Sequence, residues 1–138
     1  MVICADNVVE LGEMSAAGVI YEQLSPFSHM VATPAATVNQ GAVARALGRL
    51  AALIGQNDAA EAHFRHALEI HIRLDAPYWT ARTELEFGNF LLDRGAISDV
   101  QEAARLVQSA YQTAEKYGYA GLLERATSTL DRVASSDT

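Results

Sequence analysis

Apolar residues recur at steps of three and four along most of this chain, the spacing that places them on one face of an α-helix. Short turns marked by glycine or proline separate these periodic segments, and nothing in the pattern calls for a sheet. The pattern therefore predicts an all-α protein of about seven antiparallel helices. The predicted helices span about residues 2–11, 14–24, 41–55, 58–74, 78–94, 98–118 and 120–134.

The residues at several predicted helix ends are typical of caps. Gly12 follows the first helix and can adopt the left-handed conformation that ends many helices. Asp58 with Glu61, and Ser98 with Gln101, have the spacing of a box in which side chains bond the free backbone N–H groups of a helix start. These pairs predict side-chain caps at the start of the fourth and sixth helices.

The chain of 138 residues is expected to form one domain over residues 1–134. The longest interruption of the helical pattern, residues 25–40, contains Pro26 and Pro34 and is predicted to be a loop. The polar residues 135–138 at the carboxyl end are predicted to form a frayed tail.

Two segments about forty residues apart nearly repeat each other, and each has a glycine in the middle of a predicted helix, Gly48 and Gly88. A glycine there costs about 1 kcal/mol relative to alanine, so its recurrence indicates that neighbouring helices approach too closely for a side chain. Each glycine is followed by a small and then a larger residue: Ala60 and Phe64 in the first copy, Ala103 and Val107 in the second. The alternative is chance recurrence in a chain rich in alanine and leucine.

These positions resemble the tetratricopeptide repeat, a helical hairpin that stacks into right-handed arrays. The first copy fits the repeat pattern at Leu47, Gly48, Ala60, Phe64 and Ala67. The second copy, which has three extra residues in a turn, fits at Gly88, Ala103, Val107 and Ala110. The spacing of about 40 residues departs from the family's 34, so the resemblance implies a degenerate array of stacked hairpins.

Nearly the whole chain is also similar to the carboxy-terminal helical region of large bacterial signalling ATPases. The similar stretches are residues 20–27, 41–50 and 75–83. Those proteins join a P-loop ATPase module to a helical array and carry either an adenylate or guanylate cyclase domain or a LuxR-type DNA-binding domain. The resemblance implies a sensing or scaffolding array whose chemistry lies in other domains, and a chain that is either an excised segment or a stand-alone relative.

Charge and composition narrow the choice of partners. Acidic residues outnumber basic ones by 17 to 10 and give a net charge of −7, which disfavours direct binding to nucleic acid. No apolar run approaches the roughly 20 residues that span a bilayer, so a membrane role is disfavoured. The single Cys4 cannot form an internal disulfide, and the first residues lack a basic signal region, so a cytoplasmic location is expected.

The sequence gives little support for a catalytic, cofactor-binding or metal-binding site. The sole lysine, Lys116, lies at a helix end, so no phosphate-binding loop is predicted. His63, His66 and His71 share one helix but lack the spacing of four that a helical zinc site uses. We therefore expect neither a cofactor nor a metal, and an enzyme is only the third of three functional hypotheses.

The tetratricopeptide resemblance also implies a binding groove, because the first helix of each hairpin lines the concave face of such arrays. The groove positions that carry polar chemistry here are Arg45, Arg49, Arg82 and Asn89. An arginine guanidinium suits a carboxylate or a phosphate, so this groove would hold an acidic ligand. The alternative is that these arginines face water or pair with acidic residues of their own chain, such as Glu84, Glu86 and Asp93.

The favoured hypothesis is a non-enzymatic protein-interaction or effector-sensing module within a bacterial transcriptional or signalling regulator. Its expected partner is a protein, a peptide or a small acidic effector. Trp79 would either anchor that partner or pack in the core. The alternative is a purely structural oligomerisation domain without a ligand. Self-association into a homo-oligomer, such as a homodimer, is also expected, through an uncovered terminal pair of helices.

Overall fold

The computed structural model describes residues 2–31 and 41–136, and these residues form seven α-helices. The helices are α1 (Val2–Leu11), α2 (Met14–Leu24), α3 (Val43–Leu53), α4 (Asn57–Arg73), α5 (Pro77–Arg94), α6 (Ile97–Tyr117) and α7 (Ala120–Ser136). The described ranges contain no strand, so the predicted all-α fold is confirmed. Within the same ranges, no helix has the length and apolar character needed to cross a membrane.

The chain divides into two compact units, Met1–Leu74 and Asp75–Thr138, and each is described by itself. Unit 1 contains α1 to α4, and unit 2 contains α5 to α7. The single domain expected over residues 1–134, and the right-handed stacking of all hairpins, stay predictions.

Unit 1 is built around α3, which packs against α1, α2 and α4. Because α3 packs against three helices, most of its residues are buried, including the polar Arg45. The main core of unit 1 consists of Val2, Ala5, Ala17, Leu24, Val43, Ala46, Leu47 and Leu50. Alanine is frequent in this set, and its small side chain lets the helices lie close together.

Unit 2 is built around α6, which packs against both α5 and α7, and α5 also contacts α7. Its core consists of Ala81, Leu85, Val107, Ala110, Ala114, Leu122 and Ala126. These residues recur at helical spacing on their three helices, as the sequence pattern predicted.

Gly48 and Gly88 lie where a paired helix comes closer than an added side chain would ordinarily allow. A Cβ atom added to Gly48 would lie 3.0 Å from the ring of Phe64 on α4. A Cβ atom added to Gly88 would lie 2.6 Å from Cγ2 of Val107 and 3.4 Å from the backbone oxygen of Ala103, both on α6. Carbon atoms in contact are ordinarily about 3.5–4.0 Å apart. The predicted close packing of α3 on α4 and of α5 on α6 is therefore confirmed.

The predicted side-chain caps of α4 and α6 are wrong. The cap residues are Gln56 and Ala96, and neither makes a side-chain hydrogen bond to its helix. Asp58 lies inside the first turn of α4 instead. In the first turn of α6, Asp99 accepts hydrogen bonds from Nε and Nη2 of Arg94, at 2.7 and 2.9 Å. These bonds hold the pKa of Asp99 below its usual range.

The two segments predicted to be irregular are only partly described. In the predicted loop 25–40, Ser25–Phe27 forms a turn of 3₁₀ helix, and Val31 pairs with Ala42 in an isolated antiparallel bridge. The rest of that prediction, residues 32–40, lies outside the described residues. In the predicted tail 135–138, the first two residues continue α7, and the last two lie outside the described residues.

Candidate functional site

Two of the predicted groove residues, Arg45 and Arg49, hold α1 against α3 within unit 1. Nη2 of Arg45 donates to Oδ2 of Asp6 at 2.9 Å. Arg49 donates to Oδ1 of Asp6 at 2.7 Å and to Oε1 of Glu10 at 2.8 Å. The side chain of Arg45 is 0% exposed, and that of Arg49 is 12% exposed. The expectation that Arg45 faces an open groove is therefore wrong, because a partner cannot reach a fully buried guanidinium.

The helical spacing of these charges explains the arrangement. Asp6 and Glu10 are four residues apart on α1, and Arg45 and Arg49 are four residues apart on α3. Residues four apart lie on the same face of a helix, so each helix presents a pair of like charges to the other. This complementary spacing was present in the sequence and could have predicted the α1–α3 contact.

Asn89 holds α7 against α5 within unit 2. Its Nδ2 atom donates to the backbone oxygen of Leu85 at 3.1 Å. Its Oδ1 atom accepts from Arg132 at 2.8 Å and from Thr129 at 3.3 Å. Arg132 also donates to Asp93 at 2.8 Å. Like Arg49 in the first copy of the repeat, Asn89 therefore binds a neighbouring helix of its own unit.

Of the remaining two predicted residues, Trp79 belongs to a line of aromatic rings in unit 2, and Arg82 lies over the Trp79 ring at its end. We call the four rings Tyr117, Tyr119, Tyr78 and Trp79 the aromatic row. Their centroids are separated by 5.6 Å, 5.3 Å and 5.2 Å in that order. The first contact is stacked and the other two are edge-to-face, which are the favoured geometries for aromatic pairs.

A cation lies at each end of the aromatic row. Nζ of Lys116 lies 5.2 Å from the centre of the Tyr117 ring. The guanidinium of Arg82 lies 5.3 Å from the centre of the Trp79 ring, and its Nε atom donates to Oε1 of Glu86 at 3.0 Å. Both distances to the rings are within the range of cation–π attraction. The alternative that Arg82 pairs with an acid of its own chain is confirmed, and its role toward a partner stays a prediction.

The start of α5 and the end of α6 bring the four rings of the aromatic row together. Pro77 opens α5 and puts Tyr78 and Trp79 in its first turn, where proline lacks only an N–H that would be unpaired anyway. Gly118 ends α6 with a φ of 72°, a conformation that favours glycine. The chain then turns into α7, and the rings before and after Gly118, Tyr117 and Tyr119, stack at 13°.

The aromatic row is partly open to solvent. Tyr117 is 49% exposed and Tyr78 is 37% exposed, whereas Trp79 and Tyr119 are half-buried. A surface of this kind offers ring faces to an apolar side chain and cationic donors to a carboxylate. Sequence reasoning singled out Trp79 but missed Tyr117 and Tyr119. The sequence feature that could have predicted them is the position of these two tyrosines on either side of Gly118, the glycine that ends α6.

Two acidic residues of α5, Glu84 and Glu86, are buried at 8% and 7% exposure. Burial raises the pKa of Glu84, while a hydrogen bond with Ser109 and the charge of Arg105 act in the opposite direction. Glu86 is the partner of Arg82. Both carboxylates thus interact with side chains of their own unit, on α5 and α6.

The histidines of α4 contact other parts of unit 1. Nε2 of His63 lies 2.9 Å from the hydroxyl of Tyr21 on α2, and burial, then the nearby His66, lowers the pKa of His63. Nε2 of the buried His71 accepts a hydrogen bond from the backbone N–H of Ala42 at 2.8 Å. In residues 2–31 and 41–136, no group of three or more His, Cys, Asp or Glu side chains is arranged to hold a metal ion.

No protein-family model, curated protein or solved structure matches this chain. The tetratricopeptide resemblance therefore stays a prediction. The function must be inferred from the geometry, and the aromatic row with its two flanking cations is the candidate site.

Proposed function

We propose that this chain is a non-enzymatic protein-interaction module whose aromatic row binds an acidic peptide segment with an aromatic or apolar anchor. The observation that supports this most is the row itself, four connected rings with a cation at each end. Aromatic and arginine side chains are enriched among the residues that dominate binding energy at protein interfaces. Tyrosine and tryptophan also combine a large apolar surface with a polar atom and few rotatable bonds.

Each part of the site has a separate role in this proposal. The exposed rings of Tyr117 and Tyr78 take the apolar anchor of the peptide. Lys116, which is exposed, pairs with a carboxylate beside that anchor. The bond from Arg82 to Glu86 holds the Arg82 guanidinium over the ring of Trp79. This orientation reduces the side-chain entropy that binding would otherwise cost.

The biological context follows the sequence resemblance. The module would serve as the sensing or scaffolding part of a bacterial transcriptional or signalling regulator in the cytoplasm, where the recruited peptide belongs to another protein or domain. Other domains of that regulator would then carry out the chemistry. In this chain, polar groups such as Arg45 and Thr129 hold neighbouring helices together.

Calorimetric titration with a synthetic peptide tests this proposal. The probe is a short peptide in which phenylalanine and leucine are flanked by glutamates, and the control peptide has lysines instead. We expect Tyr117→Ser to weaken binding by about tenfold or more, because it removes an exposed anchor-binding ring. Lys116→Gln should weaken it by about threefold and reduce its dependence on salt.

A matched control separates local from general charge effects. Arg65→Gln removes the same charge from an exposed i,i+4 pair on α4 of unit 1, so its affinity for the acidic peptide should stay as in the parent protein. Equal binding of the lysine peptide, or full affinity in Tyr117→Ser, would exclude the aromatic row as the binding site.

A further inference from the structure

A hydrogen bond between a backbone N–H and a histidine ring joins the start of α3 to the end of α4 in unit 1. The N–H of Ala42, the residue before α3, donates to Nε2 of His71 at 2.8 Å. His71 is 1% exposed and Ala42 is 0% exposed. Ala42 also pairs with Val31 in the isolated bridge, and it belongs to an apolar cluster with Ala67 and Ile70 of α4. The bond is therefore shielded from water and lies in apolar surroundings.

The direction of this bond fixes the protonation state of the His71 ring. A backbone N–H donates and does not accept, so Nε2 of His71 must accept with a lone pair. The ring is therefore neutral and carries its single proton on Nδ1. A second proton would have to bind at Nε2, where it would point at the N–H of Ala42. Two donors would then face each other, and the bond would be lost.

α3, the helix that packs against α4, presents no acid to the ring. The charged residues of α3 are Arg45 and Arg49, and the acids that bond to them, Asp6 and Glu10, lie on α1. Residues 32–40, which precede α3 in the chain, contain no titratable side chain. α3 therefore adds positive charge to this part of unit 1 and provides nothing to neutralise a protonated ring.

The other titratable groups of unit 1 are exposed or lie further along α4. The groups nearest to His71 in sequence are all exposed: Glu69, Arg73 and Asp75. His29 is exposed too, and His63, which contacts Tyr21 of α2, lies two turns before His71 on α4. Among the described residues of unit 1, every carboxylate is at least partly exposed. Water screens such carboxylates, so they stabilise a charge on a fully buried ring only weakly.

We propose that His71 is an acid-sensitive latch, which holds the start of α3 on the end of α4 when it is neutral and releases it when it is protonated. A histidine in an open chain takes up a proton near pH 6.5, whereas the closed state excludes that proton while the bond to Ala42 is intact. The bond therefore stabilises unit 1 fully above about pH 6.5, and its contribution is lost as the pH falls below that value. The latch lies in unit 1 and does not involve the aromatic row, so this proposal is independent of the proposed function.

Nuclear magnetic resonance of the ¹⁵N-labelled parent protein tests the bond directly. At pH 7.5 we expect the ring of His71 to carry its proton on Nδ1 and to leave Nε2 unprotonated. As the pH is lowered, the ring signals of His71 and the backbone amide peak of Ala42 should change with a shared midpoint. A ring that is charged at pH 7.5, or that carries its proton on Nε2, would overturn the proposal.

Urea denaturation at several pH values measures the contribution of the latch to stability. His71→Gln keeps an acceptor for the N–H of Ala42 but does not titrate. One proton taken up on unfolding raises the unfolding equilibrium constant about tenfold for each pH unit below pH 6.5. We expect His71→Gln to lack this tenfold rise, whereas His29→Gln, at an exposed histidine, should keep the pH dependence of the parent protein.

His63 adds to the pH dependence in the same direction, because burial, then the nearby His66, lowers the pKa of His63. His63→Gln should therefore remove a separate part of the pH dependence and leave the shared midpoint of Ala42 and His71 in place. If His71→Gln shows the same pH dependence as the parent protein, His71 is not the latch. If His63→Gln abolishes the shared midpoint, His63 and not His71 controls the start of α3, and the proposal fails.

Discussion

Replacing Arg45 with glutamate is expected to lower the free energy of unfolding by about 3 kcal/mol or more. Arg45 is fully buried, and its guanidinium lies 2.9 Å from the carboxylate of Asp6. Glutamate would leave a buried negative charge close to that of Asp6, and removing one member of a buried ion pair typically costs about 3–5 kcal/mol. Urea denaturation followed by circular dichroism measures the loss.

The control for this effect is Arg65→Glu, which reverses the same charge in an exposed pair with Glu61 on α4. An exposed i,i+4 pair is worth only about 0.3–0.5 kcal/mol, so this variant should unfold near the parent midpoint. Adding Asp6→Arg to Arg45→Glu should recover part of the lost stability. Equal midpoints for Arg45→Glu and Arg65→Glu would mean that Arg45 is not buried against α1.

Replacing Gly88 with leucine is expected to cost roughly 3 kcal/mol, because overpacking forces the helices apart. Even the first atom of a new side chain would lie 2.6 Å from Cγ2 of Val107, which is itself fully buried. Leucine favours the helix over glycine by nearly 1 kcal/mol. The measured loss in the free energy of unfolding is therefore the cost of overpacking minus this gain. Thermal or urea unfolding of the variant and the parent protein measures this loss in the free energy of unfolding.

Gly18 provides the matched control for this prediction. It lies in the middle of α2, and a Cβ atom added there meets nothing within 4 Å. Gly18→Leu should therefore stabilise the protein by up to about 0.8 kcal/mol, the helix-propensity gain alone. If Gly88→Leu and Gly18→Leu change the free energy of unfolding by the same amount, α5 and α6 do not approach each other as closely at Gly88 as described.

The helices could be predicted from the sequence because their signals are local. Apolar spacing and residues such as Gly12 and Gly118 placed most helix bounds within two residues of those observed. The predicted caps failed because α4 and α6 start at Asn57 and Ile97, so that Asp58 and Ser98 lie inside the first turn and not at the cap. Glu61, the other half of the predicted box on α4, accepts a hydrogen bond from Arg65 at 2.8 Å instead. A charge-assisted bond to arginine is roughly twice as strong as a neutral hydrogen bond.

The candidate site could be predicted only in part because it depends on which helices meet. Arg45 and Arg49 were assigned to a groove from the position they hold in a repeat family, without the acids of α1 that bind them. Trp79 and Arg82 were singled out from sequence, but their neighbours Tyr117 and Tyr119 lie nearly forty residues away. These rings join the row only because the start of α5 packs beside the junction of α6 and α7.

The central claim, that the aromatic row binds an acidic peptide, is tested most directly by the indole N–H signal of Trp79. Trp79 is the only tryptophan in the chain, so its side chain gives one unambiguous cross-peak in a ¹H–¹⁵N spectrum. On addition of the glutamate-flanked peptide, we predict a saturable shift of this peak, together with the backbone peaks of Tyr78, Tyr117 and Tyr119. Binding that shifts peaks of unit 1 and leaves the Trp79 indole unchanged would contradict the account.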